Sequence, residues 1–331
     1  MANLKHVLSI DGGGIRGIIP GQIIVEIEKE FGIKVADYFD MISGTSTGGI
    51  LTCAYLLPGT ENPKKPKFNA EEVVGLYFER GDKIFDLPLF HKIRTAGGLL
   101  DEKYPEKGIE RALKEYFGDV WLKDLLKPCI ITAYDITNRK GHFFGQHKAK
   151  KDPDCNFLVR DAARATSAAP TYFECEQVKS QANNSFTLVD GGVFVNNPSL
   201  VSYAEGRSIF RGAGGKKATA KDMKILSIGT GYTRKPYTFR KAKNFGMAQW
   251  VQPVIDIMMS GASEVAHFQL DKIYGTVANP KQYLRIDGDL QPTNIDPDMD
   301  NATEENMERL KVFGQQLFAD NKRKIAAWLK L

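Results

Sequence analysis

The stretch Gly44-Thr45-Ser46-Thr47-Gly48 joins a largely apolar run at residues 38–42 to a second apolar run at residues 50–57. The first run is typical of a buried strand, and the second is typical of a helix. A Gly-x-Ser-x-Gly turn between a strand and a helix is the pattern of a nucleophile elbow, in which a sharp turn exposes the serine hydroxyl. The two glycines let strand and helix approach closely, and the helix N-terminus favours negative charge beside the serine. The sequence therefore predicts that Ser46 is a reactive nucleophile.

A glycine-rich turn lies one strand–helix unit before the elbow. The run Asp11-Gly-Gly-Gly-Ile-Arg-Gly17 follows a short strand at residues 4–10 and precedes a helix at residues 20–31. Such a turn fits a dinucleotide fingerprint, an oxyanion hole or a plain turn without a ligand. A dinucleotide site requires an acid at the end of the second strand, where this chain has Ser43-Gly44. A P-loop requires a Gly-Lys-Ser/Thr sequence that is absent here. Because this turn lies one unit before a nucleophile elbow, we favour the oxyanion hole. The residues expected to form it are Gly12, Gly13, Gly14, Ile15 and Arg16.

A third motif, Asp190-Gly191-Gly192, follows a short predicted strand at residues 186–189. Asp-Gly is also a common turn signal, so the motif on its own fits a structural role. Because Asp190 ends a strand and two glycines follow it, the strand end can present its carboxylate to the elbow.

The composition of the 331 residues is that of a globular protein, with 42% apolar and 26% charged residues. A net charge of +5 permits weak attraction to anionic surfaces. The four cysteines have no C-x-x-C spacing, which argues against a zinc site or a disulfide framework and favours a reducing compartment. Neither a signal peptide nor an apolar run long enough to span a membrane is expected. We predict one cytoplasmic domain over residues 1–331, with a motif-bearing core at residues 5–287 and a helical tail at residues 303–331.

Hydrophobic periodicity predicts the remaining elements. Strands are expected at residues 128–134, 141–145, 224–228 and 282–286, and helices at residues 70–80, 105–117, 158–167 and 246–273. The apolar stretch at residues 84–90 fits either a pocket mouth or a cover for the core, and we expect it to cover the core. Met258 and Met259 of the long helix would suit a flexible apolar ligand, but such methionines usually lie in the core, and we expect them there. Asp296-x-Asp298-x-Asp300 does not predict a calcium loop, because Asn and Met occupy the positions of the required Gly and Glu.

A basic segment at residues 234–243 carries five cations interleaved with Tyr237 and Phe239. The pattern fits a patch that contacts a membrane surface, and it fits a solvated loop equally well. Its few aromatic residues do not predict nucleic-acid readout.

The three motifs, in this order, resemble those of the patatin-like phospholipases. The resemblance extends to residues 37–40, to Ala165-Thr-Ser-Ala-Ala-Pro170 and to Tyr283-Leu-Arg-Ile286, and so covers most of the chain. It implies a three-layer α/β fold with a largely parallel central sheet and helices on both faces. It also implies a catalytic dyad of Ser46 as nucleophile and Asp190 as base, with the glycine-rich turn as the oxyanion hole and no metal or cofactor.

Members of this family hydrolyse acyl esters of phospholipids, galactolipids or neutral lipids. The resemblance therefore implies membrane glycerolipids as substrates and a peripheral contact with the membrane when the protein is active. Soluble bacterial members include anti-phage effectors that cyclic nucleotides switch on. Membership of that subgroup would add a nucleotide activator.

Three other functions remain open from the residues. A Ser-His-Asp esterase would use His142, His147 or His267, of which only His267 follows Asp190, as the chain order of α/β-hydrolases requires. His267 lies in a helical pattern, which is a poor place for a proton shuttle. A lipid-binding or storage protein with a vestigial site is a second alternative, and the intact serine, aspartate and glycines argue against it. A nicotinamide-binding protein is the weakest of the three alternatives.

Overall fold

The computed structural model describes residues 4–85, 107–234 and 236–330. Most of the predicted apolar stretch at residues 84–90 lies outside the described residues, as do His91 and Lys235. Within the described ranges, no helix is both long and apolar enough to cross a membrane.

Eight strands of the described chain form one sheet. Four of them, β1, β2, β3 and β7 below, are buried along nearly their whole length, as is typical of strands covered on both faces. The strands are β1 (Lys5–Ile10), β2 (Met41–Thr45), β3 (Cys129–Asp135), β4 (Lys140–Gly145), β5 (Glu176–Lys179), β6 (Ser185–Asp190), β7 (Met223–Ile228) and β8 (Tyr283–Ile286).

The centre of the sheet is parallel and one side of it is antiparallel. Strands β3, β2, β1, β7 and β8 lie side by side in that order, and each pair is parallel. Strands β4 and β6 both pair with β3 in the antiparallel sense, and β5 pairs with β6 in the same way. The predicted largely parallel sheet is therefore confirmed for these five strands, which include β1 and β2, the strands that lead into the first two motifs.

Strand β3 brings two strand ends together. Strand β4 pairs with β3 over residues 130–135 and so occupies one edge of it. Strand β2 pairs with residues 129–132 of β3 and β6 pairs with residues 133–135, so β2 and β6 must share the other edge. Because β2 is parallel to β3 and β6 is antiparallel, the two strands point at each other. Their last residues, Thr45 and Asp190, meet at adjacent positions of β3.

The helices cover both faces of this sheet. The α-helices are α1 (Ile18–Phe31), α2 (Val35–Tyr38), α3 (Thr47–Leu56), α4 (Ala70–Phe85), α5 (Lys107–Phe117), α6 (Gln146–Ala149), α7 (Val159–Thr166), α8 (Ser199–Ile209), α9 (Phe239–Ala242), α10 (Met247–Gly275) and α11 (Glu304–Leu329). Short 3₁₀ turns lie at Gly14–Gly17, Leu122–Asp124, Pro153–Cys155, Gly191–Val193, Ala213–Gly215, Ala220–Asp222 and Pro280–Gln282.

Alternate strand residues divide the core into two layers. Leu8 of β1 and Leu226 of β7 belong to the larger cluster, which also contains apolar residues of α1, α3 and α11. Val7 and Ile225, their neighbours in sequence, point to the opposite face and pack in a second cluster with Leu270 of α10. The predicted three-layer α/β architecture is therefore confirmed.

Strand β5 and helix α8 are among the elements that were not predicted, and the predicted strand before the elbow began too early, at Tyr38. Strand β5 has the polar sequence Glu-Gln-Val-Lys and so lacks the apolar run of a central strand; among the strands that the structure describes, it pairs with β6 alone. Helix α8 contains two serines and Gly206, which blur its periodicity. Tyr38 belongs to the short helix α2 instead of the following strand, because its N–H donates to the Lys34 carbonyl at 2.8 Å.

Candidate active site

Ser46 forms a sharp turn between β2 and α3. Its backbone has φ 54° and ψ −125°, a strained conformation for a residue with a side chain. A Cβ atom at Gly44 would overlap the carbonyl group of Gly48, and one at Gly48 would overlap the Ile10 carbonyl. The predicted strand–turn–helix geometry is therefore present, and both glycines are required by the close approach of the backbone.

Thr166 braces this turn from α7. The Ser46 N–H donates to Thr166 Oγ1 at 2.8 Å, and that hydroxyl donates to the Thr132 carbonyl of β3 at 2.7 Å. In the sequence, Thr166 is recognisable only as part of a family motif. Its contact with Ser46 joins residues 120 positions apart, which no local pattern reveals.

The Asp190 carboxylate lies at the Ser46 hydroxyl. The backbone N–H of Asp190 donates to the Ala168 carbonyl at 2.9 Å, which fixes the end of β6. The carboxylate accepts the Gly192 N–H at 2.7 Å, and its interaction with the Ser46 hydroxyl lowers the pKa of the carboxyl group. Only 7% of Ser46 and 4% of Asp190 are exposed. The structure thus brings together the predicted nucleophile and the predicted base where the ends of β2 and β6 meet.

Burial raises the pKa of the Asp190 carboxyl group from 3.8 to about 7. Loss of hydration is the largest cause of the rise, and the interactions with the Ser46 hydroxyl and the Gly192 N–H oppose it by stabilising the ionised form. A carboxylate with a pKa near 7 is a stronger base than an exposed one and is still substantially ionised at neutral pH. The pair can therefore exchange a proton without an imidazole.

The glycine-rich turn lies beside Ser46, and some of its backbone N–H groups are already hydrogen-bonded within the protein. A Cβ atom at Gly12 would lie 3.1 Å from the Ser46 Cβ. The N–H of Gly12 donates to Asn196 at 3.1 Å, and that of Ile15 donates to the Met299 carbonyl at 2.9 Å.

The N–H groups of Gly13 and Gly14 have no acceptor among the residues that the structure describes. Of the predicted oxyanion-hole residues, these two therefore keep N–H groups available. The N–H groups of Gly12, Ile15 and Arg16 are engaged, the last with the Gly13 carbonyl at 3.2 Å.

Arg16 points its guanidinium at backbone carbonyls. Its Nε lies 3.4 Å from the Gly13 carbonyl and its Nη1 donates to the Gly231 carbonyl at 3.3 Å. The side chain thereby ties the glycine-rich turn to the segment that follows β7 and places a positive charge next to it.

A buried ion pair holds the start of the same turn. Arg285 of β8 donates to both carboxylate oxygens of Asp11 at 2.8 and 2.6 Å, and also to Asp287 and Ser227. Burial raises the pKa of Asp11, and the Arg285 guanidinium opposes that rise. In the sequence, Arg285 is recognisable only as part of a family motif, because its partner Asp11 lies 274 residues away.

An apolar cavity of about 240 Å³ opens at Ser46. Its wall combines the catalytic candidates with apolar side chains from the segment after α7 and from α10. The lining residues are Gly14, Ser46, Ile109, Ser167, Ala169, Pro170, Tyr172, Phe173, Asp190, Gly192, Val193, Ile255, Met258, Met259, Met299 and Asp300. The expectation that Met258 and Met259 lie in the core is therefore wrong. The helical period of α10 is correct, but its methionine face borders a cavity.

The histidines that the structure describes have partners away from this site. None of them hydrogen-bonds to Ser46 or Asp190 within residues 4–85, 107–234 and 236–330. Burial lowers the pKa of His142 to about 4. The contacts are His6 with the Tyr38 carbonyl, His142 with three phenylalanine rings, His147 with Glu205 and His267 with the Tyr283 hydroxyl. In the same ranges, no group of three His, Cys, Asp or Glu residues could hold a metal ion.

Comparison with known proteins gives a consistent set of similarities. A family model described as patatin-like phospholipase matches residues 8–201. Patatin-like protein 1 of Arabidopsis thaliana is 33% identical over 345 residues, which cover 96% of this chain and 82% of that protein. A Solanum tuberosum protein named "Probable inactive patatin-3-Kuras 1" is 32% identical over 96% of this chain and 87% of its own length. The solved structure of human GIVD cytosolic phospholipase A2 aligns with a TM-score of 0.47 and 12% identity, over 99% of this chain and 62% of that one.

Proposed function

The chain belongs to the patatin-like phospholipase family, and we propose from this that it is a lipid acyl hydrolase that cleaves fatty acyl esters of membrane glycerolipids. The observation that carries the proposal is that Ser46 and the buried Asp190, whose carboxyl pKa the Ser46 hydroxyl lowers, line the same apolar cavity. The family supports a lipid esterase in general. The catalytic dyad and the glycerolipid substrate go beyond what family membership supports and are our proposal.

The first half of the reaction acylates Ser46. Asp190 accepts the Ser46 proton as Oγ attacks the ester carbonyl, and the N–H groups of Gly13 and Gly14 stabilise the negative oxygen of the tetrahedral intermediate. The intermediate expels the lipid alkoxide, which takes the proton from Asp190. The products of this half are an acyl-enzyme and a lysolipid or other alcohol.

The second half releases the fatty acid. Asp190 accepts a proton from water as the hydroxide oxygen attacks the acyl carbonyl, and the same two N–H groups again stabilise the oxyanion. Collapse of this intermediate frees the fatty acid and returns the proton to Ser46. A base with a pKa near 7 suits both halves, because it must release each proton that it accepts.

The cavity supports an acyl substrate. Phe173, Ile255 and Met259 line it, and the unbranched thioether of methionine adapts to flexible apolar chains. We propose that the acyl chain lies in this cavity with its carbonyl carbon at Ser46.

A non-catalytic lipid-binding function is a real alternative in this family, because one relative is named as probably inactive. The pairing of Ser46 with Asp190 supports catalysis here. A Ser-His-Asp esterase lacks support from the four described histidines, and His91 lies outside the described residues.

Three expectations stay predictions. The cytoplasmic location rests on the sequence alone. Activation by a cyclic nucleotide rests on the resemblance to soluble bacterial members, and so does a role in anti-phage defence.

The test is product analysis by mass spectrometry after incubation with mixed phospholipid vesicles. We expect free fatty acid and lysophospholipid from the wild-type protein, and a rate at least about 10⁴-fold lower from folded Ser46→Ala. Substrates with a different acyl chain at each glycerol position then distinguish A1 from A2 cleavage. Equal product from both proteins would refute the serine mechanism.

A further inference from the structure

The outer face of α10 is apolar where a surface helix is normally polar. Of the twelve large apolar side chains that are exposed in the described residues, eight lie between Tyr237 and Met258. On the helix they recur every three or four residues and so form one stripe. The side chains are Tyr237, Phe239, Met247, Trp250, Val251, Val254, Ile257 and Met258, with exposure reaching 82% at Phe239 and 93% at Met247. We call these residues the α9–α10 surface.

This surface is continuous with the cavity at Ser46. Ile255 and Met259 on the inner side of α10 line the cavity, whereas Ile257 points outward and is 50% exposed. Met258 lies at the boundary, since it lines the cavity and is itself 45% exposed. The mouth of the cavity therefore opens beside the apolar stripe.

Positive charge flanks the stripe. Four described cations in this segment, Arg234, Arg240, Lys241 and Lys243, are exposed. The sole acid between residues 234 and 258 is Asp256, and its carboxylate accepts the Tyr237 hydroxyl at 2.8 Å. The surface thus presents apolar side chains in the middle and an excess of cations at one end, which complements an anionic, apolar-cored layer.

Aromatic rings connect the loop to the helix within this surface. The Phe245 ring packs edge-on against Trp250 with centroids 5.4 Å apart, and against Tyr237 at 6.4 Å. Trp and Tyr are the side chains that favour the boundary between head groups and acyl chains, because one end of each is polar.

We propose that the α9–α10 surface docks on a bilayer that contains anionic phospholipids. The apolar stripe enters the acyl boundary, and the cations contact lipid phosphates. An acyl chain then passes Met258 into the cavity without crossing water. This last step rests on the proposed function, whereas the docking does not.

Sedimentation with vesicles tests the docking separately from catalysis. The parent protein is Ser46→Ala, so that hydrolysis does not alter the lipid. The vesicles are phosphatidylcholine alone or an equimolar mixture with phosphatidylglycerol. The apolar variant is Trp250→Ser/Val254→Ser/Ile257→Ser, and the charge variant is Arg240→Ala/Lys241→Ala/Lys243→Ala. None of these six residues lines the cavity. Matched controls from elsewhere on the surface are Val312→Ser/Ile136→Ser and Lys150→Ala/Lys151→Ala/Lys216→Ala.

The expected result is that the apolar variant binds both vesicles at least about tenfold more weakly. The charge variant should lose roughly 10- to 100-fold in binding to the phosphatidylglycerol vesicles alone, and the controls should bind like the parent. Parent-like binding by both surface variants would overturn the proposal. So would an apolar variant that turns a dimer into a monomer and keeps full vesicle binding, because the surface would then join two copies of the chain. If vesicle binding follows the expected pattern but wild-type protein releases no fatty acid, the proposed function fails and the docking stands.

Discussion

Burial of the Asp190 carboxyl group links the stability of the protein to pH. The group has a folded-state pKa of about 7 and an exposed value of 3.8, so the folded state binds the proton more tightly than the unfolded state does. The stabilising contribution of this protonation is complete below about pH 4 and is lost as the pH rises through about 7. The ionised base that the mechanism requires is thus also the form that destabilises the fold.

Asp190→Asn removes this titration, and its effect on stability should therefore change with pH. We expect the free energy of unfolding of the variant, relative to wild type, to rise by on the order of 4 kcal/mol between pH 4 and pH 8. Urea unfolding at a series of pH values measures the difference. Other carboxyl groups, including Asp11, titrate in both proteins and cancel. A difference that stays constant across the range would contradict the raised pKa.

The elements that carry the site are two strand ends and one turn. Strands β2 and β6 meet end to end along β3, so the residues at their ends come together although 144 positions separate Ser46 from Asp190 in the sequence. The glycine-rich turn completes the site from the neighbouring strand β1. Its shape is constrained at Gly14, which has φ 59° and lies against the Met299 carbonyl.

Gly14→Ala tests this turn against a matched control. Gly118 also has a left-handed backbone, with φ 56°, but a Cβ atom there meets nothing within 4 Å. Both substitutions cost about 1–2 kcal/mol of backbone strain. Only Gly14→Ala also overlaps Met299, which should displace the N–H donors and lower kcat roughly 10²- to 10³-fold. Steady-state kinetics on a soluble acyl ester measure both variants. Equal kcat values would show that the turn does not hold the oxyanion.

At the scale of the whole molecule, a buried lysine attaches helix α11 to the sheet. Lys224 of β7 donates to the carbonyls of Trp328 and Leu329 at 2.9 and 3.2 Å, at the C-terminal end of α11, and to the Tyr38 hydroxyl. Burial lowers the pKa of this ammonium to about 8. A cation at a helix C-terminus is favourable, so α11 is anchored to the sheet by charge as well as by packing.

The sequence could predict those features that are local in the chain. Each motif lies in a strand, a turn and the element that follows, so residues 4–57 alone predict the elbow, the glycine-rich turn and a parallel α/β fold. Contacts between distant residues could not be predicted in this way. Thr166 at the Ser46 N–H, Arg285 at Asp11 and Met299 over Gly14 depend on the three-dimensional fold. The sequence also could not show which N–H groups of the glycine-rich turn are available to an oxyanion. The fold shows that those of Gly12, Ile15 and Arg16 are already hydrogen-bonded, which leaves those of Gly13 and Gly14 among the predicted residues.

The initial rate of acyl-ester hydrolysis by Asp190→Asn tests the serine–aspartate dyad most directly. It is measured beside wild type and beside single alanine variants of all five histidines, including His91, with folding checked by circular dichroism. We predict that Asp190→Asn lowers the rate at least about 10⁴-fold and that every histidine variant keeps a substantial fraction of the wild-type rate. An Asp190→Asn rate close to wild type, or a folded histidine variant as inactive as Ser46→Ala, would contradict it.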